Sequence, residues 1–159
     1  MRINWKKGFF SSKYKLLSGS KEIGEFHQPS FSNYSIGKLN NTKLKFKKKG
    51  FFKSETDILD LNLNQTVGHI KFDGWGSKAS IRLHGKNYKW KYENFWHSKW
   101  SISENEKALI NYKSSTTSGE IESSIDNESL ILCGFFIFNY YLVLMMIISV
   151  STAVIVSSG

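Results

Sequence analysis

The stretch that decides the fold is residues 130–156, which reads LILCGFFIFNYYLVLMMIISVSTAVIV. It contains no charged side chain, and an apolar run of this length predicts a helix. Asp126, Asn127 and Glu128 come directly before it, where a capping side chain and negative charge favour a helix start. About 20 such residues suffice to cross a bilayer, so hydropathy alone indicates a membrane span.

The chain before this helix follows a period of two from residue 9 to about residue 125. Apolar and polar residues alternate in NYKWKYE (87–93) and, in the same way, in LDLNLN (59–64). Such alternation is typical of strands with one buried face. Gly and Asn residues separate the runs at short intervals, as in the turns of a hairpin. The pattern predicts eleven to thirteen short strands in an antiparallel meander, arranged as a barrel or a sandwich.

The flanks of the apolar stretch argue against a simple membrane span. Residues 114–129 hold four acids and no Lys or Arg, and no basic residue follows residue 156 in the printed sequence, whereas topology usually depends on Lys and Arg beside the span. A helix that is apolar on all sides also fits a protein interior. A closed barrel of about twelve strands has room for such a helix along its axis. We therefore expect the strands to enclose it.

The sequence thus predicts a mainly β fold, an antiparallel closed barrel of about twelve strands around an apolar C-terminal helix. Residues 1–159 form one domain, with strands in 1–127 and the helix in 128–156, either central to the barrel or inserted in a membrane. Strands of about seven residues give a barrel roughly 18 Å tall. On this basis we expect the barrel to cover the helix from Leu130 to around Met146. The remainder, Ile147 to Val156, would cap the barrel, meet a protein partner or enter a membrane.

This arrangement resembles the tubby-like superfamily, which includes the LURP-one-related proteins and the phospholipid scramblases. The resemblance covers nearly the whole chain and rests on strand number and order and on four short runs, GHIKF (68–72), KWSI (99–102), GEI (119–121) and LILCGF (130–135). It implies a twelve-stranded barrel closed around an apolar helix, and attachment to membrane lipids. It implies no catalytic residues, and Asp126 with Glu128 is too short a match to carry over the calcium-binding stretch of scramblases.

Basic residues are concentrated in the first third of the chain. Residues 1–53 hold thirteen Lys or Arg against Glu22 and Glu25, within a net charge of +9. Clustered lysines attract an anionic membrane surface, at about 1 kcal/mol each. They also protect an exposed edge strand from aggregation, and both interpretations stay open here. The candidate residues for anionic lipid headgroups are Lys43, Lys45, Lys47, Lys48, Lys49 and Lys53.

Two groups of aromatic and polar residues have structural and functional interpretations. Aromatic residues and lysines interleave from Trp75 to Trp100, and such a surface can stack the bases of single-stranded nucleic acid. Period two, however, places Trp90 and its aromatic neighbours on the apolar face of a strand. Core packing is therefore favoured, and nucleic acid is not the expected partner.

Asn139, Tyr140 and Tyr141 interrupt the apolar stretch as a buried polar cluster of the helix. They are expected to bond to one another or to inward groups of the strands.

The function expected from the sequence is that of a membrane-surface or lipid-interacting module without catalysis. No catalytic motif, metal-ligand spacing or cofactor motif is present in the sequence. Cys133 is the single cysteine, so a disulfide framework is excluded, and no signal peptide is recognisable. We expect a cytoplasmic protein, at the face of a membrane and not secreted. The alternative is a tail-anchored protein with a cytoplasmic β-domain acting as adaptor, and a weaker one is nucleic-acid binding.

Overall fold

The computed structural model describes residues 1–9, 11–29, 32–50, 54–73 and 77–157, with side chains described up to residue 149. It contains twelve strands followed by one helix, α1, at Glu128–Ser157. The strands are β1 Arg2–Lys7, β2 Lys13–Ser18, β3 Lys21–His27, β4 Tyr34–Leu39, β5 Thr42–Lys49, β6 Glu55–Asp60, β7 Gln65–Phe72, β8 Lys78–Leu83, β9 Lys86–Tyr92, β10 Lys99–Glu104, β11 Lys107–Ser114 and β12 Ser118–Ser123.

The strands form a closed antiparallel barrel in chain order. Each strand pairs with the next, and β1 pairs with β12 to close the sheet, with Ile3 opposite Ile121. The fold class predicted from the alternating pattern is confirmed. Tyr88 and Trp90 point into the barrel, as period two predicts, while Lys89 between them and Lys91 after them are exposed.

One predicted strand run is wrong at its end. The alternation of residues 59–64 suggests a continuing strand, but β6 ends at Asp60, and the side chain of Leu63 is 59% exposed. The Asp60 carboxylate accepts hydrogen bonds from the backbone N–H groups of Asn62 and Leu63, at 2.8 and 3.1 Å. Asp in this position favours a turn closed by its own side chain, which here overrides the alternation.

The helix begins at one end of the barrel and leaves through the other. The Asn127 side chain caps it by accepting from the N–H of Leu130 at 2.9 Å. Asn40 and Thr42, at the β4–β5 turn, donate hydrogen bonds to the Glu128 carboxylate. We call this end, with the β2–β3, β4–β5, β6–β7, β8–β9 and β10–β11 turns, the near end. The opposite end, with the β1–β2, β3–β4, β5–β6, β7–β8, β9–β10 and β11–β12 connections, is the far end.

Aromatic side chains fill the space between helix and strands. The ring of Phe136 stacks on Phe46 with centroids 4.6 Å apart, and Phe138 stacks on Trp100 at 3.9 Å. The Trp90 indole donates a hydrogen bond to the carbonyl of Gly134 at 3.2 Å. The helix is therefore the core against which the inner faces of the strands pack.

The helix leaves the barrel gradually, over residues 142–146. Burial is continuous around the helix to about Tyr141, which is 1% exposed, while Leu144 is 37% exposed and Met145 is still partly buried against the core. The expected exit near Met146 coincides with the last contact of the helix with the core. Strands of six to eight residues stand roughly 15–20 Å tall when tilted, and the helix rises about 17 Å between Leu130 and Tyr141.

Candidate functional site at the far end of the barrel

Polar side chains surround the helix at the level where it leaves the barrel. The Tyr14 hydroxyl donates to Asn139 Oδ1 at 3.1 Å, and Asn139 Nδ2 donates to Gln28 Oε1 at 2.5 Å. The Tyr141 hydroxyl lies within hydrogen-bonding distance of the Asp73 carboxylate, at 3.1 Å, and of the Lys78 carbonyl. We call Tyr14, Gln28, Asp73, Asn139 and Tyr141 the polar collar.

The collar satisfies the polar groups that interrupt the apolar stretch. Its bonds link the helix to β2, to the residue after β3 and to the β7–β8 connection, so the polar atoms bond to groups outside the helix. Tyr140 is half-buried and stacks on Phe72 with centroids 3.8 Å apart. Burial raises the pKa of Tyr14 to about 12. Since unpaired buried polar groups are costly, the collar fixes how far the helix is threaded through the barrel.

Past the collar the helix is apolar and exposed. Met146, Ile147 and Ile148 are 56–58% exposed. Successive residues of a helix point about 100° apart, so these three neighbours cover more than half of its circumference. The helix continues to Ser157, about 24 Å beyond Tyr141. By length and composition alone, one described segment, Glu128–Ser149, is suited to crossing a membrane, although 56% of its most apolar window lies buried.

Lysines crowd the rim of the barrel around this helix. Among the described residues, ten lysines occupy the terminal residue of a strand at the far end or the position next to it, and the acids at such positions, including the connections, are Glu55, Asp73 and Glu93. We call these lysines the far-end lysines. They are Lys6, Lys7, Lys13, Lys48, Lys49, Lys71, Lys78, Lys91, Lys99 and Lys113.

The near end has no such excess. By the same criterion the near end holds seven basic residues (Arg2, Lys21, Lys38, Lys43, Arg82, Lys86 and Lys107) and five acidic ones (Glu22, Asp60, Glu104, Glu106 and Glu122), and two further acids, Asp126 and Glu128, lie there at the start of α1. Most of the net positive charge of the protein therefore surrounds the point at which the apolar helix emerges. Local ion pairs within the described part of the chain offset some of this excess, since they join Lys49 to Asp57, Lys71 to Glu55 and Lys91 to Glu93.

The structure divides the predicted lysine cluster of β5 between the two ends. Lys43 lies at the near end, Lys45 and Lys47 lie along the wall, and Lys48 and Lys49 reach the far end. Lys53 lies outside the described residues. The Lys45 ammonium lies 4.5 Å from the centroid of the Tyr34 ring, and that of Lys48 lies 5.7 Å from the Tyr140 ring. The prediction that these lysines act together as a headgroup site stays untested.

Exposed aromatic side chains lie at the same end. Among the described residues, the exposed Phe and Trp side chains are Phe9, Phe95 and Trp96, at 69%, 86% and 82%. Phe9 belongs to the β1–β2 connection and the other two to the β9–β10 connection. Trp75, grouped with them in the sequence, lies outside the described residues. The aromatic region thus separates into buried core residues and residues displayed beside the helix.

A shallow groove of about 720 Å³ crosses the outer wall over β7 to β11. Lys71, Lys89 and Lys91 line it, with Ser101, whose hydroxyl donates to the Glu93 carboxylate at 2.5 Å. No group of three or more His, Cys, Asp or Glu side chains within the described part of the chain is placed to hold a metal ion.

Comparisons with known proteins identify no relative. No protein-family model matches the chain, and neither a curated protein nor a solved structure is significantly similar to it. Function must therefore be argued from the geometry of the far end. The far-end lysines come from eight different strands, and apart from Lys48 and Lys49 they were therefore not singled out by the sequence pattern. The sequence did hold a signal for this group of lysines. In a meander every second strand connection lies at the same end of the barrel, so the charges near those connections can be added up for each end.

Proposed function

We propose that this protein is a membrane-anchored β-barrel module without catalytic activity, held at the surface of a bilayer by the half of α1 that lies outside the barrel. The observation that carries the proposal is the exposure of Leu144 and of residues 146–148 around the helix, within two turns of a hydrogen-bonded collar whose helix residues Asn139 and Tyr141 are buried.

The exposed half of the helix needs an apolar environment. It has no polar face, which distinguishes it from amphipathic helices that lie flat in the interface. Its described rise of about 24 Å beyond Tyr141 reaches most of the way through a hydrocarbon core of about 30 Å. Insertion would remove the exposed side chains from water and leave the barrel outside the bilayer.

The same proposal places the barrel at the cytoplasmic face of a membrane. The cytoplasmic leaflet is anionic and attracts lysines next to an inserted segment. The far-end lysines occupy that position, and the single cysteine is free and buried, as suits a reducing compartment.

Kinship with the tubby-like superfamily is part of the proposal. What supports it is the architecture, twelve strands in sequential order closed around an apolar helix at the end of the chain. The lipid attachment implied by that resemblance is consistent with the exposed helix.

Two truncated variants, each compared with the full chain, test the proposal. Removal of residues 144–159 leaves the buried half of α1 and the collar in place, so this chain should stay folded, remain in buffer without detergent, and fail to float with lipid vesicles. The full chain should float and resist extraction by high salt. Removal of residues 130–159 takes away the core, and this chain should lose its near-UV circular dichroism.

Other results would reject the proposal. A full chain that stays in the vesicle-free fraction as a soluble oligomer would favour a protein partner for Ile147 to Val156. Equal flotation of the full chain and the chain lacking residues 144–159 would show that the exposed helix is not the anchor. A folded chain without residues 130–159 would support the tail-anchored alternative, in which the helix serves only as an anchor.

A further inference from the structure

We propose that the far end of the barrel is itself a docking surface for an anionic bilayer, so that the barrel stands end-on with its β1–β2 and β9–β10 connections in the headgroup layer. This inference rests on the proposed function and specifies it, because anchoring by the helix alone would leave the orientation of the barrel free. Two observations independent of the helix carry it, the distribution of charge and the position of the exposed aromatics.

The charge distribution selects one end of the barrel. Ten lysines against three acids surround the exit of the helix, while the near end is balanced. Anionic lipid attracts each such lysine by about 1 kcal/mol, and the attraction falls off within a Debye length of about 10 Å. Only the end that faces the bilayer gains from this attraction, so the far end is favoured over the near end and over the wall.

The aromatic residues select the same end. Phe95 and Trp96 are neighbours in the β9–β10 connection, and their rings contact edge to face with centroids 5.5 Å apart. Both are more than 80% exposed, which is unfavourable in water for side chains of this size. In membrane proteins Trp is enriched at the membrane–water interface, where its ring lies at the level of the headgroups. Lys91 and Lys99 flank this connection, at the end of β9 and the start of β10.

The occupant that fits this surface is a phospholipid bilayer containing anionic lipid. The apolar helix emerges from the middle of the surface, so an occupant must supply both a hydrocarbon phase at the centre and negative charge around it. An anionic bilayer supplies both. Single-stranded nucleic acid supplies only the charge, and a folded acidic protein supplies no hydrocarbon phase.

The experiment compares matched variants of the full chain on vesicles of phosphatidylcholine with and without 30% phosphatidylserine. The far-end variant is Lys13→Gln, Lys99→Gln and Lys113→Gln, and the near-end control is Lys21→Gln, Lys86→Gln and Lys107→Gln. All six lysines are exposed and occur in no ion pair found in the described structure. Both variants lose three charges.

We expect the far-end variant to lose on the order of 100-fold in partition onto the anionic vesicles, at about fivefold per lysine. The control should change by no more than the loss of net charge alone causes, about a fewfold. On neutral vesicles the two should behave alike.

An orientation measurement makes the test independent of affinity. Cysteines introduced by Thr116→Cys, in the β11–β12 connection of the far end, and by Ser20→Cys, in the β2–β3 turn of the near end, are labelled with an environment-sensitive fluorophore. Cys133 is fully buried and leaves the labelling selective. On vesicles the label at position 116 should shift to the blue and the label at position 20 should not.

The outcomes separate the two proposals. If the full chain binds vesicles but the two lysine variants weaken equally, or both labels respond alike, then the barrel is anchored without end-on docking and this inference is wrong while the proposed function stands. If the full chain binds neither type of vesicle, the proposed function is wrong and the inference fails with it. Salt-dependent binding of a single-stranded oligonucleotide without vesicle binding would overturn both.

Discussion

Replacement of Gly134 by Ala should destabilise the barrel even though Ala is the better helix former. A Cβ atom at position 134 would lie 2.2 Å from the Tyr112 hydroxyl and 2.9 Å from Cδ1 of Ile102. That hydroxyl is buried and donates to the carbonyl of Ile131 at 3.1 Å. Overpacking costs about 1–3 kcal/mol, and displacement of a buried hydroxyl from its partner adds about 1–3 kcal/mol. The higher helix propensity of Ala offsets about 1 kcal/mol of this cost, so the free energy of unfolding should fall by about 3 kcal/mol.

The assay is urea unfolding of the full chain in a mild detergent, followed by tryptophan fluorescence, since Trp90 and Trp100 are buried against the helix. Tyr112→Phe removes the oxygen nearest to the new Cβ and alone should cost about 1 kcal/mol. In the double variant the two costs should fall short of their sum by about 1–2 kcal/mol. Some cost should persist, because Cζ of the ring lies 2.6 Å from the same Cβ position.

A matched control is Ser149→Ala, on the exposed half of the same helix, where the Ser hydroxyl donates to the carbonyl of Met145 one turn earlier. This variant should be neutral or slightly stabilising. If Gly134→Ala is as stable as the parent chain, the helix does not pass β11 at the described distance, and the close packing inferred for the barrel interior is refuted. If the losses in unfolding free energy of the two single variants simply add in the double variant, Tyr112 is not the side chain that the new Cβ atom displaces.

The remaining predictions concern the collar and the core. Asn139→Leu leaves the Tyr14 hydroxyl without its acceptor and removes one of the donors to Gln28 Oε1, which still accepts from the Ser35 hydroxyl, and should cost about 2 kcal/mol in the same assay; no change would show that the collar does not hold the helix. Burial raises the pKa of Tyr14 from 10.0 to about 12, so the folded chain holds this proton more tightly than the unfolded chain. Its contribution to stability is therefore complete below pH 10 and lost as the pH rises to 12, and Tyr14→Phe should flatten that decline; equal slopes would contradict the assignment. Cys133 is 0% exposed and should react with a maleimide only after unfolding, so rapid labelling of the native chain would place it elsewhere.

Much of the fold could be predicted from the sequence because its signals are local. Each strand shows its inward face by alternation, as Tyr88 and Trp90 do, and the helix shows itself by an unbroken apolar run. Closure follows from combining the two, since the strands need a partner for their apolar faces and the helix needs a shell. The error at Leu63 is also local, because the Asp60 side chain makes a turn that apolar alternation does not register.

The candidate site could not be predicted in the same way, because it is assembled from distant parts of the chain. Lys99 and Lys113 are directly opposite each other on β10 and β11, and Lys13 lies on β2, across the barrel closure. In the sequence, the apolar stretch has no basic residues near it, which argued against a membrane span. In the fold, lysines from eight strands surround the same stretch. The basic flank that topology normally requires is present in space although it is absent from the adjoining sequence.

Under the proposed function one helix is both the core of the barrel and its membrane anchor, and this has a mechanical consequence for how the barrel would meet a bilayer. If α1 moved outward by one turn, about 5.4 Å, Asn139 and Tyr141 would leave Tyr14, Gln28 and Asp73, and Phe138 would leave its stack on Trp100. Inward movement would break the same bonds and draw apolar side chains out of the bilayer. The collar thus sets the length of helix available for insertion. An anchor joined by a flexible linker would allow any height and orientation, whereas this one holds the far-end lysines and Trp96 at a fixed level, which is the level of the headgroups when the exposed half of the helix is inserted.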